Sequence, residues 1–144
     1  MIEIRECILE DYIAIYELNK NEMGYDYPLN KTKEKLENIL LNKHDKIFVA
    51  EIDSKVVGYI HANDYDVIYA PSMKNIMGIA VANEYKRQGI GALLIEQAES
   101  WAKSENVNII RLVSGEKRTE AHNFYKKCGY GEGRKQLNFK KELR

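Results

Sequence analysis

The run Ile76-Met77-Gly78-Ile79-Ala80-Val81-Ala82 contains no polar side chain and constrains the fold more than any other stretch of the chain. A strand with one wet face alternates apolar and polar residues, whereas an uninterrupted apolar run needs cover on both faces. Gly78 within it marks a bulge or a close backbone approach. Asn83 to Gly91 then reads as a turn, followed by an amphipathic helix from about Gly89 to Ser104. Its buried face is Ile90, Leu94, Ala98, Trp101 and Ala102. A doubly covered strand that feeds a one-sided helix requires layers of helix and sheet.

The remaining segments fill in those layers. Ile2 to Glu6 alternates and reads as a strand. A helix from about Glu10 to Lys20 follows, broken by Met23-Gly24-Tyr25-Asp26-Tyr27-Pro28. Asn30 is placed to cap a second helix that ends at Leu41, with Leu36, Ile39 and Leu40 as its stripe. Lys46 to Ile52 and Val56 to Ala62 read as strands joined at Asp53-Ser54-Lys55. Asn63 to Lys74 reads as a strand end and a loop, and Asn108 to Val113 as a buried strand. Thr119 to Cys128 reads as a short helix with Gly129 at its C′ position. Arg134 to Leu143 alternates and is expected to form a last strand. The order β-α-α-β-β-β-α-β-α-β predicts one α/β domain of the α+β type over residues 1–144. Its expected core is a single mixed, mostly antiparallel sheet flanked by helices.

Charge and cysteine content exclude several functional classes. Lys plus Arg and Asp plus Glu stand at 22 each, so the basic excess of a general nucleic-acid binder is missing. Cys7 and Cys128 have no metal-ligand spacing and cannot build a disulfide framework, which suits thiols in a reducing cytoplasm. No metal site is expected. The opening residues alternate instead of forming the apolar core of a signal peptide. No apolar run reaches the roughly 18 residues of a membrane span. A cytoplasmic protein without nucleic-acid or membrane partners is the expectation.

Gly89 and Gly91 lie where the buried strand gives way to the helix. A helix N-terminus offers unpaired N–H groups and the positive end of the helix dipole, and glycine lets phosphate oxygens approach them. Two glycines before a helix also occur as a plain tight turn. A dinucleotide fingerprint needs a third glycine where Leu94 stands, and a P-loop needs Lys and Ser/Thr where Ala92-Leu93 stand. Neither pattern fits. The segment Val81-Ala82-Asn83-Glu84-Tyr85-Lys86-Arg87-Gln88-Gly89-Ile90-Gly91-Ala92-Leu93-Leu94 resembles the acetyl-CoA-binding motif of the GNAT superfamily of N-acetyltransferases, written Arg/Gln-x-x-Gly-x-Gly/Ala. Downstream, Ala121-His122-Asn123-Phe124-Tyr125-Lys126-Lys127-Cys128-Gly129-Tyr130 resembles that family's Phe-Tyr-x-x-x-Gly-Phe/Tyr signature. The element order resembles the family fold over nearly the whole chain. Lys86 departs from the usual Arg or Gln, and Arg118 stands where many relatives carry Asn.

The resemblance implies roles for named residues. Backbone groups of Ile79, Ala80 and Val81 would pair with the pantetheine arm of acetyl-CoA. Backbone N–H groups of Arg87, Gln88, Gly89, Ile90, Gly91 and Ala92 would hold its pyrophosphate, with the Lys86 and Arg87 side chains pairing to phosphates. Tyr125 would protonate the departing CoA thiolate, which a phenol of reference pKa about 10 can do. Tyr25, Asp26 and Tyr27 would border the acceptor, holding a cationic amine by charge and cation–π contact. The family's glutamate base falls on Val113, so the base stays open among His61, Asp64, Asp66, Glu84, Glu116, His122 and a water chain. Neither His61 nor His122 is spaced to activate Cys128, which argues against an acyl-enzyme. The implied activity is acetyl transfer to a primary amine of a small molecule or a peptide, by direct attack in a ternary complex. A non-catalytic acyl-CoA-binding module and a longer acyl donor are the alternatives. The last strand, as an edge, would suit pairing in a homodimer.

Overall fold

In the computed structural model, which describes residues 1–144, five strands form one sheet in the order β1 (Ile2–Glu6), β2 (Asp45–Ile52), β3 (Lys55–Tyr65), β4 (Met73–Val81) and β5 (Ile110–Leu112). The first four pair antiparallel, and β5 runs parallel to β4. The chain divides into two compact units, Met1–Leu112 and Val113–Arg144. The first holds the whole sheet with helices α1 (Tyr12–Met23), α2 (Leu29–Leu41) and α3 (Ile90–Ser104). The second holds α4 (Thr119–Lys127).

The two faces of the sheet are separated by residue parity. Ile47, Val49, Tyr59 and Ala80 share one face and pack with Ile15 and Leu18 of α1 and Leu36 of α2. On the other face Phe48, Ala50, Ile60 and Ala62 are buried. Gly58 lies there too, where a Cβ would stand 3.4 Å from Leu94 Cδ1 of α3 and 3.0 Å from the Ala80 carbonyl. Ile90, Leu94, Ala98, Trp101 and Ala102 of α3 are all buried, as their periodicity predicts. Asp53 and Ser54 both take positive φ, 48° and 65°, the hairpin geometry that matches strand twist.

Several boundaries differ from the expected ones. Asn30 is no cap: α2 begins at Leu29 behind Pro28, whose carbonyl accepts a hydrogen bond from Thr32 Oγ1 at 3.1 Å. Proline's fixed φ supplies the helix entry without a capping side chain. Much of Asn63 to Lys74 is strand, because β3 runs to Tyr65 and β4 starts at Met73. Cross-strand pairing of Asn63 with Asn75 and Asp64 with Lys74 outweighs their weak β-propensity. The strand expected over Asn108 to Val113 contracts to Ile110–Leu112, the length that finds a partner on β4. The strand expected over Arg134 to Leu143 does not form, and Leu137 and Phe139 stand exposed. Alternation fixes only which face a residue would take; a strand also needs an edge to pair with.

Candidate functional site

The functional features of β4 begin at a bulge. Pairing with β3 runs Gly58↔Val81, Tyr59↔Ala80, Ile60↔Ile79 and His61↔Gly78, then slips to Ala62↔Ile76. Met77 is therefore the extra residue, next to the glycine that marked the bulge in the sequence. On its other edge β4 pairs with β5 only over Lys74, Asn75 and Ile76. Beyond the bulge no strand of the first unit covers that edge.

Strand alternation decides which groups the open edge presents. The Ala82 N–H donates to the Val57 carbonyl at 2.8 Å, so that pair is hydrogen-bonded and alternate pairs back along β4 share its character. The N–H and C=O of Ala80 thus face Tyr59 on β3. Those of Ile79 and Val81 face the open edge. The three residues singled out by sequence are not equivalent.

The strand leads through a 3-10 turn, Asn83–Tyr85, into the glycine-bearing loop. Arg87 has φ 67° and Gly89 φ 81°, both left-handed, while Gln88 between them does not. This alternation of handedness folds successive N–H groups into a concave nest suited to an anion. The helix closes its first turn through the Leu93 N–H to the Gly89 carbonyl at 3.1 Å, and the N–H groups of Ile90, Gly91 and Ala92 lie ahead of any intrahelical acceptor. Nest and helix dipole therefore add at one place. Glu22, near the end of α1, fixes the loop's entry. Its carboxylate accepts the Asn83 N–H at 3.0 Å and pairs with Lys86 Nζ at 3.3 Å. Lys86 thus already has a partner on the protein, while Arg87 and Gln88 are exposed.

Below the bulge, on the face of α1 and α2, lies a polar patch. His61 Nε2 meets Asp45 Oδ1 at 2.7 Å, and both side chains are largely buried. The Tyr59 hydroxyl donates to Asn19 Oδ1. Burial, and then the neighbouring Tyr25, push the Tyr59 phenol up to about 12. Tyr25, Asp26 and Tyr27 are exposed, and Asp26 Oδ1 accepts the Tyr16 hydroxyl at 3.0 Å.

At the opposite end of β4 the groups are locked together. Lys74, 3% exposed, donates to Asp64 Oδ1 at 2.5 Å and to Glu105 Oε1, and lies 4.0 Å from the Trp101 ring centre. Trp101 Nε1 donates to Glu105 Oε2 at 3.1 Å. Burial pulls the Lys74 ammonium down, but its hydrogen bonds to Asp64 and Glu105 outweigh that and hold it above the usual lysine range. A cavity of about 190 Å³ borders this knot, lined in part by Asp64, Asp66 and Glu105.

In the second unit Tyr125 is buried on α4, flanked by the rings of Phe124 at 5.4 Å and Tyr130 at 6.5 Å. The helix ends as a Schellman motif. Tyr130 N–H bonds the Tyr125 carbonyl, Gly129 N–H bonds that of Lys126, and Gly129 has φ 95°. Burial raises the Tyr125 hydroxyl above the ordinary phenol value, with Arg118 pulling partly back. It therefore stays a proton donor through neutral pH. Ser114 Oγ, also of the second unit, is buried without a hydrogen-bond partner, an orphan of the kind a ligand satisfies.

Of the other base candidates, Asp64 is committed to Lys74 and His44, Glu116 pairs with Lys135, and His122 Nε2 bonds the Gly115 carbonyl. Sequence reasoning missed Glu22 and Asp45. Only pairing between distant segments identifies them, although Glu22 directly precedes the predicted helix break at Met23.

A family model described as the acetyltransferase (GNAT) family matches residues 12–130. An uncharacterized N-acetyltransferase of Chlorobaculum tepidum is 32% identical over 132 residues, covering 90% of this chain and 75% of the relative. An N-alpha-acetyltransferase of Sulfurisphaera tokodaii is 31% identical over 138 residues, covering 90% and 80%. Among solved structures, the aminoglycoside N-acetyltransferase AAC(6')-Iy in complex with CoA superposes with a TM-score of 0.89 at 18% identity, over 99% of this chain and 96% of that one.

Proposed function

Because the chain belongs to the acetyltransferase (GNAT) family, we propose that it moves the acetyl group of acetyl-CoA to a primary amine of a small molecule or a peptide by direct attack. The observation that carries this reading is the half of β4 beyond the bulge. Its outer edge is open at Ile79 and Val81 and leads straight into the Arg87–Gly89 nest. An extended amide-bearing arm ending in a pyrophosphate is the ligand that such an edge and nest fit together. Ile79 and Val81 would take the pantetheine amides. The N–H groups of Arg87, Gln88, Gly89, Ile90, Gly91 and Ala92 would take the phosphates, with Arg87 adding charge. Lys86 reaches phosphate only by sharing itself with Glu22.

In this mechanism the neutral amine attacks the thioester carbonyl, the C–N bond forms, and the C–S bond breaks. The CoA thiolate leaves and takes the Tyr125 proton, and the phenolate recovers one from the new amide nitrogen. The buried phenol suits this role, since its raised pKa keeps it protonated until needed. Tyr25, Asp26 and Tyr27 would meet the acceptor. Aminoglycosides, named for a structural neighbour, and peptides with a free alpha-amine form the first panel to try.

The test is Tyr125→Phe. Acetyl-CoA affinity by calorimetry should stay within twofold, while kcat on any accepted amine should fall about 10²-fold. Unchanged kcat would remove Tyr125 from the chemistry. A wild type that binds acetyl-CoA yet acetylates nothing in the panel would favour a binding module.

A further inference from the structure

We propose that His61, oriented by Asp45, is the general base that takes the proton from the acceptor amine. This rests on the acetyl-transfer reading and adds the residue that the sequence left open. His61 pairs with Ile47 across β2, and Ile47 belongs to the core under α1 and α2, so the imidazole projects on that face. Gly78 pairs with His61 across β4. A Cβ at Gly78 would stand 3.7 Å from Met23 Cε and 3.9 Å from the Tyr59 hydroxyl, on the same face. Having no side chain, Gly78 leaves a space beside the bulge that Met23 and the Tyr59 hydroxyl border. Neighbouring strands lie about 4.8 Å apart, so the imidazole stands one strand in from the point where the open edge of β4 begins, and an acceptor amine would lie between the two. A thioester at the end of an arm laid along Val81 and Ile79 would arrive there.

The Asp45 contact fixes the ring. Its carboxylate only accepts, so Nε2 carries the hydrogen at 2.7 Å from Oδ1, and the neutral ring keeps its lone pair on Nδ1. The ammonium of the acceptor gives its proton to Nδ1, and the resulting imidazolium is stabilised by Asp45. The neutral amine then attacks, the thiolate is protonated as described above, and His61 returns its proton to solvent. Per turnover one proton is released, which balances R–NH₃⁺ plus thioester against amide plus thiol. β2 brings Asp45 to His61 and β4 brings Gly78 opposite it, while α1 places Asn19 on the Tyr59 hydroxyl and Met23 over Gly78. Tyr59, two residues back, has its proton committed to Asn19 and an upward-shifted pKa, so it does not compete as a base.

His61→Gln, checked for folding by its melting curve and for acetyl-CoA affinity by calorimetry, should keep both. Its kcat should drop about 10²-fold and lose the acid limb of the kcat–pH profile. Asp45→Asn should lower kcat about tenfold with acetyl-CoA affinity unchanged, and its ring hydrogen should no longer be fixed on Nε2. Ring nitrogen shifts by NMR on the wild type, which need no variant, should show the hydrogen on Nε2. Turnover in His61→Gln within threefold of wild type, or a lone pair on Nε2, overturns the assignment while leaving acetyl transfer intact. Failure of the wild type to acetylate any amine overturns both.

Discussion

The two halves of β4 are built on opposite principles. From Lys74 to Ile76 the strand is paired on both edges and anchored by the buried Lys74 knot. From Gly78 to Val81 it keeps only its β3 partner, and Met77 is the residue that separates the halves. The first half uses side-chain charges that satisfy one another. The second leaves backbone groups unspent, which is what a ligand needs. A strand held firmly at one end can stay open at the other without collapsing onto its neighbour.

Removing the anchor should give the largest effect. Lys74→Ala leaves Asp64 only His44 and Glu105 only Trp101 Nε1 and empties the space over Trp101, so stability in a denaturant titration should fall by about 3 kcal/mol. Acetyl-CoA affinity, measured where the variant is still folded, should change less than twofold. A large affinity loss in folded protein would mean that the halves are not independent.

Proline separates the two edges next. Ala80→Pro removes an N–H that bonds Tyr59 and should cost about 2 kcal/mol of stability. Val81→Pro removes one that faces the open edge. It should spare the melting temperature and weaken acetyl-CoA about tenfold, roughly one lost hydrogen bond. If Val81→Pro unfolds the protein as readily as Ala80→Pro, the edge is not open.

The knot also predicts a pH response. Burial pushes Asp64 up, but Lys74 and His44 more than reverse this, and Asp11 is held down against burial by Arg5 and the Ile8 N–H. Carboxylates with depressed folded pKa values stabilise above the ordinary range near pH 3.9. That contribution disappears as pH falls through their folded values. Lys74, raised, contributes below the usual lysine value and loses its contribution as pH climbs past its folded one. The denaturation midpoint should therefore fall below pH 4, and fall less steeply in Lys74→Ala.

The smallest effect is expected at Arg87. Its left-handed backbone costs a side-chain-bearing residue about 1 kcal/mol that glycine avoids, so Arg87→Gly should melt at the same temperature or slightly higher. Acetyl-CoA affinity should fall about fivefold with the lost charge, and less at high salt. Lower stability would show that the arginine is held there for packing rather than for a ligand.

Much of this contrast was legible beforehand. The unbroken apolar run from Ile76 to Ala82, the bulge at its glycine and the turn into α3 follow from local rules, since hydrophobic period and glycine placement act within a few residues. The Gly129 cap is equally local. The strand over Arg134 to Leu143 failed because pattern alone supplies no partner. Lys74 read as the end of a loop because nothing nearby in the sequence reveals that Asp64 and Glu105 will enclose it.

The sequence by itself determined the elements, the buried face of α3 and the motifs that place the chain in its family. Tertiary structure decided which edge of β4 stays open, that Ile79 and Val81 rather than Ala80 face it, and that Asp45 reaches His61. Periodicity is a property of neighbouring residues, whereas an open edge or an ion pair depends on which distant segment arrives beside it.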